Sequence, residues 1–130
     1  MRIAIAEDAA LFRAGLVRLL EDEGHQVCAE VADGEALLAA VASQRPDVVV
    51  ADIRMPPTFT DEGLRAALEL RRTHPGTAVL VLSQYIETRY AAQLLHSSPA
   101  GVGYLLKDRV ADVAEFTEAV GRVAAGGTAL

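Results

Sequence analysis

Apolar residues in this chain fall into five short runs, separated by longer segments in which hydrophobic positions recur with a helical period. The runs are Arg2 to Ala6, Gln26 to Val31, Val48 to Ala51, Ala78 to Leu82 and Gly101 to Leu106. Short aliphatic and β-branched runs spaced by helix-length segments predict strands buried in a parallel sheet. Between the first two, Phe12, Leu16, Leu19 and Leu20 share one face of a helix from Ala9 to Glu23, leaving Arg13, Arg18, Glu21 and Asp22 toward water. Gly24 suits the turn after it. Asp33 is a good N-cap for a second helix carrying Leu37, Leu38 and Val41, which Pro46 closes. Leu64, Ala67 and Leu68 predict a third helix from about Asp61 to Thr73, turned back by Pro75-Gly76, and Thr88 to Ser97 predicts a fourth. Val113, Phe116, Val120 and Val123 lie on one face of a fifth, which ends at Gly126-Gly127. Repeated βα units with right-handed crossovers predict a three-layer α/β/α domain around a doubly wound parallel sheet of order 2-1-3-4-5.

The polar residues at the run ends change the picture. In an open α/β sheet, ligands bind outside the carboxyl ends of the strands. The first run leads into Glu7 and Asp8, the third into Asp52, the fourth into Ser83 and the fifth into Lys107. Carboxylates, a hydroxyl and an ammonium distant in sequence would therefore share one crevice, a set suited to accepting a phosphoryl group. Asp52, anchored by a central strand, is the candidate nucleophile. Clustered carboxylates repel unless a divalent cation compensates them, and Mg(II) suits an oxygen-only set. Such an ion would offset the charge that keeps an anionic donor from an anionic nucleophile. Lys107 would place a point charge against the phosphoryl group, and Ser83 would offer it a hydroxyl donor. Alone, each residue has an ordinary meaning, as a solvated helix start, a turn residue or surface decoration. Their joint position at strand ends favours the chemical one.

Competing functions share parts of this pattern. A phosphatase of the haloacid dehalogenase type also uses a strand-end aspartate, but needs a second acid two residues later, where Arg54 stands. A nucleotide-binding domain needs a glycine-rich loop after the first strand, where Ala6-Glu7-Asp8-Ala9-Ala10 instead places carboxylates. A third alternative keeps the fold as a protein-binding module without phosphorylation.

The 130 residues fit one domain, and the net charge of −6 disfavours direct nucleic-acid binding by this segment. Cys28, the single cysteine, has no disulfide partner and is expected as a small buried hydrophobe. His25, His74 and His96 fall near helix ends and suit surface roles, while Tyr85 and Tyr90 are expected as partly exposed aromatics. With no targeting pattern and no run long enough to span a bilayer, the expected location is cytoplasmic, without membrane contact.

On these residues, positions 1–126 resemble the receiver domain of a two-component response regulator, with its flavodoxin-like (βα)5 fold. The resemblance implies Mg2+ binding by Glu7, Asp8 and Asp52 with the backbone carbonyl of Arg54, and a phosphoacceptor role for Asp52. It assigns Ser83 and Tyr104 as switch residues and Lys107 as the site lysine, and matches Met55-Pro56 to the family's Met-Pro loop. Tyr104-Leu105-Leu106-Lys107-Asp108 and Ala124-Ala125-Gly126-Gly127 resemble the NarL/LuxR-type branch, in which a receiver precedes a LuxR-type helix-turn-helix DNA-binding domain. Residues 127–130 would then begin the linker to such a C-terminal domain. The implied partners are a sensor histidine kinase, that output domain and a second copy of the chain on phosphorylation. The implied catalysis is limited to the domain's own phosphoryl transfer and dephosphorylation. Two departures stand out. Lys107-Asp108 replaces the commoner Lys-Pro, whose bond is often cis, and the loop from Pro56 to Gly63 is longer than the family's short version. Arg54 and Gln84 occupy positions that tune dephosphorylation in relatives and are expected to shield the phosphoryl group from water.

Overall fold

The computed structural model describes residues 1–85, 87–97 and 100–129; Leu130, in the expected linker, lies outside them. The elements run β1 (Arg2–Ala6), α1 (Ala10–Asp22), β2 (Gln26–Val31), α2 (Gly34–Gln44), β3 (Val48–Asp52), α3 (Glu62–Thr73), β4 (Ala78–Ser83), α4 (Thr88–Ser97), β5 (Val102–Leu106), α5 (Val113–Ala124) and β6 (Thr128–Ala129). A 3-10 turn, Lys107–Ala111, joins β5 to α5. The sheet is parallel, with order β2-β1-β3-β4-β5-β6. The predicted order 2-1-3-4-5 is therefore present, with an added edge strand that the sequence pattern does not announce.

Alternation along each central strand sorts its side chains between two helical layers. Ile3, Ile5, Val48, Val50, Leu80 and Leu82 pack with Leu16 and Leu20 of α1 and Phe116, Val120 and Val123 of α5. Ala4, Ala6, Val49, Ala51, Val79 and Val81 pack with Leu37 and Val41 of α2, Leu64 and Leu70 of α3, and Leu94 of α4. Every residue of β3 and β4 is buried, which explains their unbroken apolar sequences.

The helix boundaries follow local chemistry. The Asp33 carboxylate accepts the Ala36 amide at 2.8 Å, capping α2, and Asp112 does the same for α5 by accepting from Glu115 at 3.1 Å. Gly24, after α1, takes φ +87°.

Three expectations change. Cys28 is half-buried because β2 is an edge strand, and it sits where the β1–β2 register shifts; its thiol points to the Ile3 carbonyl at 3.6 Å. Tyr90 is buried, because its place on α4 turns it into the α2–α4 layer, whereas Tyr85 is 54% exposed. Arg13 does not simply face water: its guanidinium donates to the Glu7 carbonyl at 2.6 Å. Among the described residues the cis bond is Pro56-Pro57, so Lys107-Asp108 is trans.

Candidate functional site

The carboxyl ends of β1, β3, β4 and β5 open into a cleft of about 330 Å3 lined by Glu7, Asp8, Asp52, Arg54, Ser83, Gln84 and Lys107 with Ala9, Ile53 and Phe59. The residues predicted from the strand ends thus meet in one place. Tyr104 does not line the cleft; it stands behind it, on β5.

β3 delivers Asp52 as its last residue, with the backbone locked in the ladder and the carboxylate leaving the sheet. Immediately behind it runs Gly63, at the start of α3, whose amide donates to the Ile53 carbonyl at 2.8 Å. Lys107 reaches across from the end of β5. Its ammonium lies 2.7 Å from Glu7 Oε1 and 3.1 Å from Asp52 Oδ2, and 4.9 Å from the centre of the Phe12 ring. Burial works against its charge, but the Glu7 hydrogen bond and the Asp52 charge outweigh that and raise its pKa.

Glu7 is almost wholly buried, and burial is the main force pushing its carboxyl up to about 7. The neighbouring Asp52 carboxylate pushes the same way, and Lys107 pulls against both. One Glu7 oxygen, Oε2, is buried without a hydrogen-bond partner. A buried carboxylate oxygen left unpaired is costly in an otherwise satisfied core. Ligand oxygens of Glu7, Asp8 and Asp52 all lie within 4.8 Å of one another. The unpaired oxygen within a converging all-oxygen donor set fits a hard divalent cation such as Mg(II).

The fourth strand end holds a chain of hydrogen bonds. The Ser83 hydroxyl donates to the Tyr85 carbonyl at 2.6 Å. The Tyr104 hydroxyl donates to that same carbonyl at 3.0 Å and accepts the Glu87 amide at 3.1 Å. Arg54 pairs with Glu87 at 3.4 Å and stacks over the Tyr85 ring at 5.3 Å, while Gln84 is exposed at the cleft.

Phe12, Arg13, Phe59 and Glu62 are the site neighbours that sequence reasoning passes over. Phe12 and Arg13 follow the acidic pair by one helical turn, but helix period alone assigns them to core and solvent. For Glu62 a signal exists: threonines two and four residues upstream of an acidic first-turn residue match a carboxylate bonding back to preceding amides.

The response regulator receiver domain family matches residues 3–120. The chain belongs to this family. This receiver domain is 38% identical over 128 residues to the transcriptional regulatory protein DegU of Brevibacillus brevis, covering 98% of the chain and 51% of that protein. It thus spans about half the length of that relative. The signal receiver domain of the response regulator NarL from Mycobacterium tuberculosis superposes with a TM-score of 0.75 at 33% identity, covering 92% of this chain and 95% of that one. A LuxR-family two-component response regulator from Aurantimonas sp. SI85-9A1 superposes with a TM-score of 0.83 at 25% identity, covering 99% and 88%. The chain is a receiver domain of the NarL/LuxR type, a signalling domain. No described helix is long and apolar enough to cross a membrane.

Proposed function

We propose that Asp52 is the phosphoacceptor, taking a phosphoryl group from a phosphohistidine of a sensor histidine kinase. The observation that carries this is the strand-end aspartate held 3.1 Å from the Lys107 ammonium, beside a buried Glu7 oxygen with no partner. An Asp52 carboxylate oxygen forms the new bond to phosphorus, the phosphorus–nitrogen bond breaks, and the imidazole leaves with the electron pair and takes a proton from solvent. Glu7, Asp8 and Asp52 would hold Mg2+, with the Arg54 carbonyl completing the set by family resemblance. The ion supplies positive charge that lets an anionic donor approach an anionic nucleophile. Lys107 stabilises the phosphoryl oxygens, and Arg54 and Gln84 border the approach of water.

Output follows from one shared acceptor. Ser83 turns inward to donate to the new phosphoryl oxygens and gives up the Tyr85 carbonyl, to which Tyr104 also bonds. That rearranges the β4–α4 connection and frees Tyr104 to change rotamer, coupling a local charge event to the surface of α4, β5 and α5. The full-length protein uses this surface to control a C-terminal LuxR-type DNA-binding domain joined beyond β6, since Thr128 and Ala129, expected in the linker, belong to the sheet, with a homodimer forming on phosphorylation, in the cytoplasm. Support comes from relatives named as transcriptional regulatory proteins, of whose length this chain covers about half.

Incubation with Mg2+ and acetyl phosphate, read by intact mass, is expected to give one phosphoryl adduct, lost in Asp52→Asn. Turnover of the donor without an adduct would favour a phosphatase. No adduct and no turnover would favour a phosphate-independent binding module.

A further inference from the structure

Phe59 combines features that rarely coincide. Its backbone takes φ +55°, a left-handed conformation unfavourable for a bulky side chain, and the residue is 49% exposed. Yet the same residue lines the cleft that contains Asp52. The loop's far side is not packed against a core: Pro56, Pro57, Thr58 and Glu62 line an open groove of about 670 Å3. Phe59 itself belongs to neither of the two core clusters.

Hydrogen bonds to one carboxylate hold the loop around it. Glu62 Oε2 accepts the Thr58 amide at 2.6 Å and the Thr58 hydroxyl at 2.5 Å, and Oε1 accepts the Thr60 amide at 3.1 Å. The residues on either side of Phe59 are thus tied to a single side chain, while the Phe59 amide donates to the Met55 carbonyl at 2.9 Å. Glu62 is itself buried, and the next residue, Gly63, lies against the Asp52 backbone. The loop is held relative to the acceptor strand.

Resting on the acceptor role proposed above, we propose that Phe59 is a positioning residue of the phosphorylation cleft, an apolar wall fixed by Glu62 that keeps water from an aspartyl phosphate on Asp52. Hydrolysis forms a bond from water oxygen to phosphorus, breaks the Asp52–phosphorus bond with the electron pair returning to the carboxylate, and releases a proton to solvent. An aromatic surface at the mouth offers the incoming water no hydrogen-bond partner. Burial raises the Glu62 carboxyl, but the Thr58 hydroxyl and amide with the Glu62 and Thr60 amides more than offset that and leave it at about 2, so the clamp stays ionised at neutral pH.

The test is the half-life of the phosphorylated protein after donor removal, for wild type, Phe59→Ala, Phe59→Leu, Phe59→Tyr and Glu62→Gln, with thermal melts run in parallel. Phe59→Ala is expected to shorten the half-life roughly tenfold, equivalent to about 1.4 kcal/mol of barrier. Phe59→Leu, which keeps the wall apolar, should restore most of it and Phe59→Tyr, which brings a hydroxyl to the mouth, less, an order that a merely structural role would not impose. Glu62→Gln should shorten it less than Phe59→Ala. If wild type is phosphorylated but Phe59→Ala matches its half-life, the wall is overturned while the acceptor role stands. If wild type takes up no phosphoryl group, both fail.

Discussion

An ideal Cβ on Gly63 would stand 1.6 Å from the Asp52 carbonyl oxygen and 2.7 Å from its carbon, whereas one on Gly121 would meet nothing within 4 Å. At Gly63 the obstacle is backbone of the central strand, which cannot rotate away as a side-chain tip could. We expect Gly63→Ala to lower stability by about 2–3 kcal/mol by forcing α3 off β3. Gly121→Ala, in the interior of α5, should instead raise stability by about 0.5–1 kcal/mol through helix propensity. Urea midpoints of both variants test this, and a neutral Gly63→Ala would mean that α3 shifts freely against the acceptor strand. The contrast marks what single residues disclose in advance. Asp52 and Lys107 are legible because an apolar run carries them to a known rim of the sheet. Gly63 is not, since the clash that excludes a methyl group there comes from a residue on another element.

Strands and helices are legible here because burial imposes a period on them: unbroken apolar runs for β3 and β4, a one-sided stripe for α5. The connection between β3 and α3 has no period to read, and its shape depends on the Glu62 carboxylate gathering donors from Thr58 and Thr60. That clamp has a pH signature. The folded value of about 2 lies below the ordinary 4.5, so as pH falls the unfolded chain binds the proton first. Its stabilisation is complete above about pH 4.5 and drains away as pH drops toward 2. Glu62→Gln should therefore be less stable than wild type at pH 7, and the gap should close between pH 4.5 and 2 as the wild type loses what the variant never had. Urea midpoints across that range read the difference directly, because other acids titrate in both proteins and cancel. Parallel profiles would show that the carboxylate charge does not hold the loop.

At the scale of the whole molecule, the sheet ends differently on its two sides. β2 forms one edge and is half-exposed along its length, as its mixed sequence allows. The other edge is covered by β6, where Thr128 and Ala129 pair with Val102 and Gly103 and the Gly101 amide donates to the Gly127 carbonyl at 2.9 Å. A two-residue strand carries no pattern, which is why the sequence shows only a tail after α5. Ala129 is nonetheless buried and joins the α1–α5 layer, so β6 continues both the hydrogen-bond ladder and the core. Removing residues 127–130 would strip those bonds from β5 and open its edge to water and to pairing with other chains. With a net worth of about 1 kcal/mol per hydrogen bond, and water replacing part of each, the shortened chain should lose about 1–2 kcal/mol. The urea midpoint should fall while the slope stays nearly constant, since little additional surface is exposed on unfolding. Phosphoryl uptake should survive, because Asp52 and its neighbours lie at the carboxyl ends of the central strands while β6 pairs with the beginning of β5. An unchanged midpoint would mean that the sheet is energetically complete at β5 and that β6 merely rests against it.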